Sequence, residues 1–299
     1  MTHFQKVAIL GRGHLGSAVL EELTKAHFEV TVLTRAQSTA STPSDNIAVK
    51  EVDYSSADSL EAALKGHDVV VSTVNPAGIA LQKVAIDASI AAGVKRFIPA
   101  DFGLITTDPE AQKLPVQGHV VEIRKYLAEK AEAGELEFTI FAVGLFLELF
   151  LTKPLAIDMD DRVATLYDGG VHPVSASSVS TIGKAIAAAL KKPEDTKNRV
   201  LRVHDIVLTQ RKILELLKKY SPGKSWTETT VDASSELETS LQRLRNEGPS
   251  PVAISGVFKA AFFSGKYNAA YDNTDNELLG LGVKTEEDVE EMAAGLLKR

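Results

Sequence analysis

Over residues 6–143 the apolar positions gather into short runs, each stopped by glycine, proline or charge. The stretches between them carry apolar residues at helical spacing. Residues 6–10 end at Gly11 and read as a strand, and residues 17–25 follow with Ala18, Leu20 and Leu23 on one helical face. Residues 28–34, 47–52, 68–74, 96–99 and 138–143 supply five more strands. The helices expected between them cover residues 59–65, 80–92 and 116–131. The first two stop at Gly66 and Gly93, whose tolerance of left-handed backbone suits a helix C-cap.

Strands joined through helices need crossover connections, which are right-handed and build a parallel sheet covered on both faces. The pattern therefore predicts an α/β fold with a doubly wound parallel sheet of the Rossmann kind. Past residue 155 the alternation loosens. Residues 162–167 and 200–204 read as strands, residues 178–190, 210–220 and 234–246 as helices, and residues 221–230 as a long loop. This organisation suggests a nucleotide-binding domain over 1–155 and a smaller α+β substrate lobe over 156–299, with a boundary that lets some strands return to the sheet. Residues 138–151 are the most apolar stretch, but they contain Glu148 and fall short of the roughly 20 residues a spanning helix needs, so they read as core.

The 299 residues carry 33 Lys and Arg against 40 Asp and Glu, a net charge of -7, which leaves no basic footprint for nucleic acid or an anionic membrane. There is no cysteine, so thiolate nucleophiles, disulfides and iron–sulfur ligation are excluded, and redox chemistry would need a bound cofactor. The first apolar run is too short for a secretory core segment, which points to a cytoplasmic protein. His3, His14, His27, His67, His172 and His204 show no metal-ligand spacing, and no G-x-S-x-G elbow is present.

Gly11-Arg-Gly13-His14-Leu15-Gly16 is a G-x-G-x-x-G between a strand and a helix. In that setting the first glycine makes the tight turn, the second lets backbone approach a pyrophosphate, and the third allows close helix packing. The loop, with His14 and Leu15 inside it, is the expected phosphate site at a helix N-terminus, a glycine turn without ligand being the plainer alternative. After the second strand stand Thr34 and Arg35, then Ser38 and Thr39, where an NAD site would place a carboxylate. A guanidinium with hydroxyls complements a 2′-phosphate and so favours NADP, although a solvated surface arginine fits the same position. By topology alone, Asp53 would meet the adenine edge, and Ser72, Thr73, Val74 and Asn75 the nicotinamide-side ribose.

The glycine motif, the Leu33-Thr-Arg35 strand end, the segment Gly93-Val-Lys-Arg-Phe-Ile-Pro-Ala-Asp-Phe-Gly103 and Asn198-Arg-Val-Leu together resemble the NmrA-like, isoflavone-reductase-like branch of the atypical short-chain dehydrogenases. That resemblance implies an NADP(H)-binding monomer or homodimer that reduces an aromatic or conjugated small molecule, rearranges one without redox chemistry, or acts as a non-catalytic NADP sensor. It puts Pro99, Ala100 and Phe102 beside the cofactor, and Asp101 where the branch carries Glu, as a proton relay or a turn cap. The branch's reductases also carry a lysine that falls here at His119 or Val120, flanked by Lys113 and Lys125. With the lysine missing, His119 becomes the candidate acid/base, since imidazole titrates near neutrality. A histidine half exposed at a helix start is the bland alternative. Helical geometry puts Val116, Val120, Ile123 and Leu127 in a buried stripe, with His119, Tyr126 and Lys130 on its flank. Tyr126-x-x-x-Lys130 also matches the Tyr–Lys pair of standard short-chain dehydrogenases, by spacing alone. Phe146, Leu147, Phe150, Trp226, Phe258, Phe262 and Phe263 are open to two uses, lining an aromatic pocket or filling core.

Overall fold

The computed structural model describes residues 3–35, 47–152, 155–221, 223 and 225–297. The expected alternation is present: β1 (Lys6–Leu10), α1 (His14–Lys25), β2 (Glu29–Thr34), β3 (Ala48–Glu51), α2 (Ala57–Leu64), β4 (Val69–Ser72), α3 (Gln82–Ala91), β5 (Arg96–Ile98), α4 (Gly118–Glu132) and β6 (Glu137–Ala142). The strand Arg199–Arg202 returns beside β6 and completes a seven-stranded parallel sheet in the order Arg199–Arg202, β6, β5, β4, β1, β2, β3. Central strands have no solvent face. β4 reads Val-Val-Val-Ser and is buried at every position, as a parallel strand between two helical layers must be.

Helix α1 and the helix Val179–Lys191 cover one face of the sheet, and α2, α3 and α4 cover the other. Gly183 is where the first pair meets, because a Cβ there would lie 2.9 Å from the Ala18 carbonyl oxygen. The C-terminal helix of that pair therefore fixes the helix that follows the glycine loop. Its own N-terminus is held by anions: both Glu148 oxygens accept from the Val179 N–H, and Asp205 accepts from the Ser178 N–H at 2.7 Å.

Two smaller three-stranded sheets follow among the described residues, one with Pro173–Ser177 between Leu145–Phe146 and Ile206–Thr209, the other with Val163–Tyr167 between Ile157–Asp158 and Thr227–Val231. The last strand corrects the loop expected at 221–230. It pairs in parallel with Val163–Tyr167, yet four of its five residues are exposed, so it carries no apolar alternation to read. Phe150 and Phe263 stack at 6.2 Å inside a buried cluster that also holds Leu147, so these three residues serve packing. No helix among the described residues is long and apolar enough to cross a membrane.

Candidate functional site

The connections from β1 and from β4 run to opposite faces of the sheet, which opens a crevice at the carboxyl ends of these neighbouring strands. The glycine loop spans it. Gly11 has φ +91°, a region that favours glycine, and its N–H donates to the Leu33 carbonyl at 3.1 Å. A Cβ on Gly16 would lie 2.5 Å from the Gly11 carbonyl oxygen and 2.6 Å from Thr73 Oγ1, so this position is closed to any side chain. A Cβ on Gly13 would meet nothing within 4 Å. The loop is thus packed shut on its inner side and open at its mouth.

Gly13 is also the N-cap of α1 and offers no side chain to cap it, and the first turn carries no acidic residue. The leading N–H groups and the positive helix end are left for an anion. Thr73 ties the base of the cradle together, its hydroxyl lying 3.0 Å from the Gly11 carbonyl oxygen and 3.2 Å from that of Leu10. His14 is exposed and Leu15 buried on the first turn. These features fit a dinucleotide pyrophosphate.

Arg35 is exposed directly after β2, while Ser38 and Thr39 lie outside the described residues. Asp53 is exposed, and the Ser55 hydroxyl (2.6 Å) and N–H (2.8 Å) hold its carboxyl below the usual range. The sequence reading missed its neighbour Tyr54. That hydroxyl donates to the Leu33 carbonyl at 2.6 Å, and burial pushes its pKa up to about 12. Tyr54 and Val74 line a crevice with Leu10, Ser72 and Gln82. Asn75 uses its side-chain oxygen to cap the 3-10 turn Pro76–Leu81, accepting from the Gly78 N–H at 3.2 Å.

At the end of β5, Pro99 and Ala100 are buried, and the Ala100 N–H donates to Gln82 Oε1 at 2.6 Å. Phe102 stacks on Phe141 with centroids 6.4 Å apart. Asp101 is 4% exposed and forms an ion pair with Arg124 of α4, which also donates to Thr106 Oγ1 at 2.9 Å. The other Asp101 carboxyl oxygen is buried and has no hydrogen-bond partner among the described residues. Arg124 was not singled out from sequence, since an arginine beside Lys125 in a charged helix reads as solvated surface.

His119 occupies the first turn of α4 with its side chain 71% exposed and Nδ1 4.0 Å from Glu122. Five residues separate it from Arg124, which puts the two about 140° apart around the helix. No hydrogen bond joins His119 to Asp101 among the described residues. Val120 instead shares the Arg124 side of the helix. Tyr126 donates its hydroxyl to Asp87, and Lys130 pairs with Glu135 at 2.8 Å while lying 5.4 Å above the Tyr126 ring. Desolvation and then Asp87 raise the Tyr126 pKa, the opposite of the lowering that a Tyr–Lys catalytic pair depends on.

Comparison with known proteins agrees with this architecture. A model of the NmrA-like family matches residues 4–290. Oxidoreductase aprR of Aspergillus flavus is 35% identical over 302 aligned residues, covering 98% of this chain and 99% of that protein. Among solved structures, the binary complex of leucoanthocyanidin reductase with NADPH from Vitis vinifera superposes with a TM-score of 0.77 at 20% identity, covering 98% of this chain and 100% of that one. AtPrR2 with NADP+ and (+)pinoresinol gives 0.75 at 20% identity, covering 99% of each chain.

Proposed function

The chain belongs to the NmrA-like family, and on that footing we propose that it is an NADP(H)-dependent oxidoreductase acting on an aromatic or otherwise conjugated small molecule. The observation that carries this reading is the cradle at Gly11–Gly16: closed against Thr73 where a helix must approach, open at Gly13 where a pyrophosphate must enter. Arg35 after β2, in place of a carboxylate, supports the phosphorylated cofactor. The aromatic substrate class draws support from the structural neighbour that binds (+)pinoresinol.

The cofactor supplies a hydride donor. The chain's own groups do the rest. The N–H groups of α1 would hold the phosphates, and Thr73 fixes the loop that presents them. Pro99, Ala100 and Phe102 form the wall at the end of β5. Asp101, held by Arg124, sets the charge beside that wall. His119, the acid/base candidate read from sequence, faces water on the first turn of α4 about 140° around the helix from Arg124, so the compensating proton is left to solvent.

A second reading is favoured by one observation, that the first turn of α4 holds His119 and Val120 and no lysine, where the family resemblance leads one to expect a lysine. Under it the same residues perform acid/base isomerisation or dehydration with the cofactor as pocket floor. Purified protein given NADPH and a panel of aromatic ketones and enones separates the two. Loss of the dihydronicotinamide absorbance with product formation supports the reductase. Product without that loss supports the second reading. Cofactor retention with neither would point to a sensing role.

A further inference from the structure

The C-terminal lobe reaches into the proposed site through one side chain. Tyr271 is 4% exposed and lies beyond the helix Pro251–Phe262, in a stretch without regular secondary structure. Its hydroxyl donates to the Leu104 carbonyl at 2.6 Å, with the Gly103 carbonyl 3.3 Å away, and accepts from the Gly144 N–H at 3.2 Å. Residues 103 and 104 follow β5 and Gly144 follows β6, so a single oxygen ties the ends of two neighbouring sheet strands.

The tyrosine is itself held on three sides. Its N–H donates to Ser175 Oγ at 3.0 Å, and that oxygen lies 2.9 Å from His204 Nδ1. The tyrosine and His204 rings stack 6.5 Å apart and nearly parallel. Gly144 has no freedom to retreat either: φ is +75°, and a Cβ would lie 2.2 Å from the Ser175 carbonyl oxygen. Arg124 of α4 also staples both ends of residues 101–106 through Asp101 and Thr106. The segment is therefore clamped between α4 and the lobe.

We propose that Tyr271 is a positioning residue for the reaction, fixing residues 101–106 against the turn at Gly144, the two strand ends over which the substrate would meet the nicotinamide. This rests on the reductase reading above. The tyrosine ring alone would satisfy packing. The hydroxyl is what the two loops share, and its loss leaves a buried carbonyl and a buried N–H without partners. Loops freed in this way drift, and displacements near 1 Å at a reacting centre reduce turnover by about a hundredfold.

The test is Tyr271→Phe in the full chain. NADPH affinity, measured by calorimetry, is expected to stay within about twofold, because the glycine loop is not touched. With whichever panel compound the wild type reduces, kcat is expected to fall about tenfold to a hundredfold while KM stays within about twofold. Amide hydrogen exchange at Gly144 and over residues 102–106 is expected to rise about tenfold or more, with the glycine loop unchanged. Unaltered kcat, or unaltered local exchange, would overturn the proposal. So would a uniform rise in exchange across the sheet together with lost NADPH binding, since that marks a purely structural role. Should no compound be reduced by the wild type, the reductase reading fails while the clamp is still judged by exchange at Gly144. If Tyr271→Phe does not fold, Ser175→Ala removes the anchor of the tyrosine N–H and is held to the same readings.

Discussion

Two alanine substitutions, three residues apart, should have opposite consequences. At Gly16 the added methyl would sit 2.5 Å from a backbone oxygen of Gly11, which cannot swing aside, and 2.6 Å from Thr73 Oγ1. Overpacking of this kind costs about 1–3 kcal/mol, or roughly 2–10 °C in midpoint for a chain of this size. At Gly13 the backbone is extended, φ -83° and ψ -159°, and the methyl meets no protein atom within 4 Å. Alanine gains a few tenths of a kcal/mol by restricting the unfolded chain and loses a similar amount as a poorer N-cap, so stability should stay within about 1 kcal/mol of wild type. The same methyl fills the mouth through which a pyrophosphate approaches the α1 N–H groups, and losing one or two charge-assisted hydrogen bonds of about 1.5–3 kcal/mol each lowers affinity at least about tenfold. Differential scanning calorimetry and NADPH titration on both variants read the two effects separately. A Gly13→Ala protein that binds NADPH as tightly as wild type would refute the assignment of this loop.

Other consequences can be checked alongside. Arg35→Asp should weaken NADPH about tenfold to a hundredfold and NADH by less than about threefold; equal losses in calorimetry would remove the 2′-phosphate assignment. Arg124→Leu strands the buried Asp101 carboxylate and should cost about 3–5 kcal/mol in urea unfolding, with Asp101→Asn on the same background restoring a large part of it; full stability in the single variant contradicts the reading of that pair. Burial holds His67 and His204 below the usual histidine value. The unfolded chain therefore takes up protons near pH 6.5 that the folded chain takes up only at lower pH, and stability should fall as pH drops below about 6.5. Urea midpoints from pH 8 to 5.5 should show this slope, shallower in His204→Asn, and a midpoint that rises on acidification contradicts it.

What could be read from sequence follows the range of the interactions. The glycine loop is local, a strand, a turn and a helix within residues 6–25, and Gly11 and Gly16 each have a steric reason, a positive φ at the first and a close approach to Gly11 at the second. The buried strands β1, β4 and β5 and the buried end of β6 announce themselves through apolar runs. Arg124 does not, because its burial depends on Asp101, a partner 23 residues earlier brought near only by the crossover from β5 to α4. Tyr271 sits in a segment with no periodicity, and its partners at 103, 104, 144 and 175 are all distant in the chain. Tyr126 and Lys130 match a catalytic spacing, yet the same i to i+4 geometry serves a lysine lying over a ring, and sequence alone does not distinguish the two.

Calorimetric titration of the purified chain with NADPH and, separately, with NADH should show saturable binding of one NADPH per chain, at least about tenfold tighter than NADH. Absence of binding to either nucleotide at millimolar concentration would contradict the cofactor assignment and the function built on it.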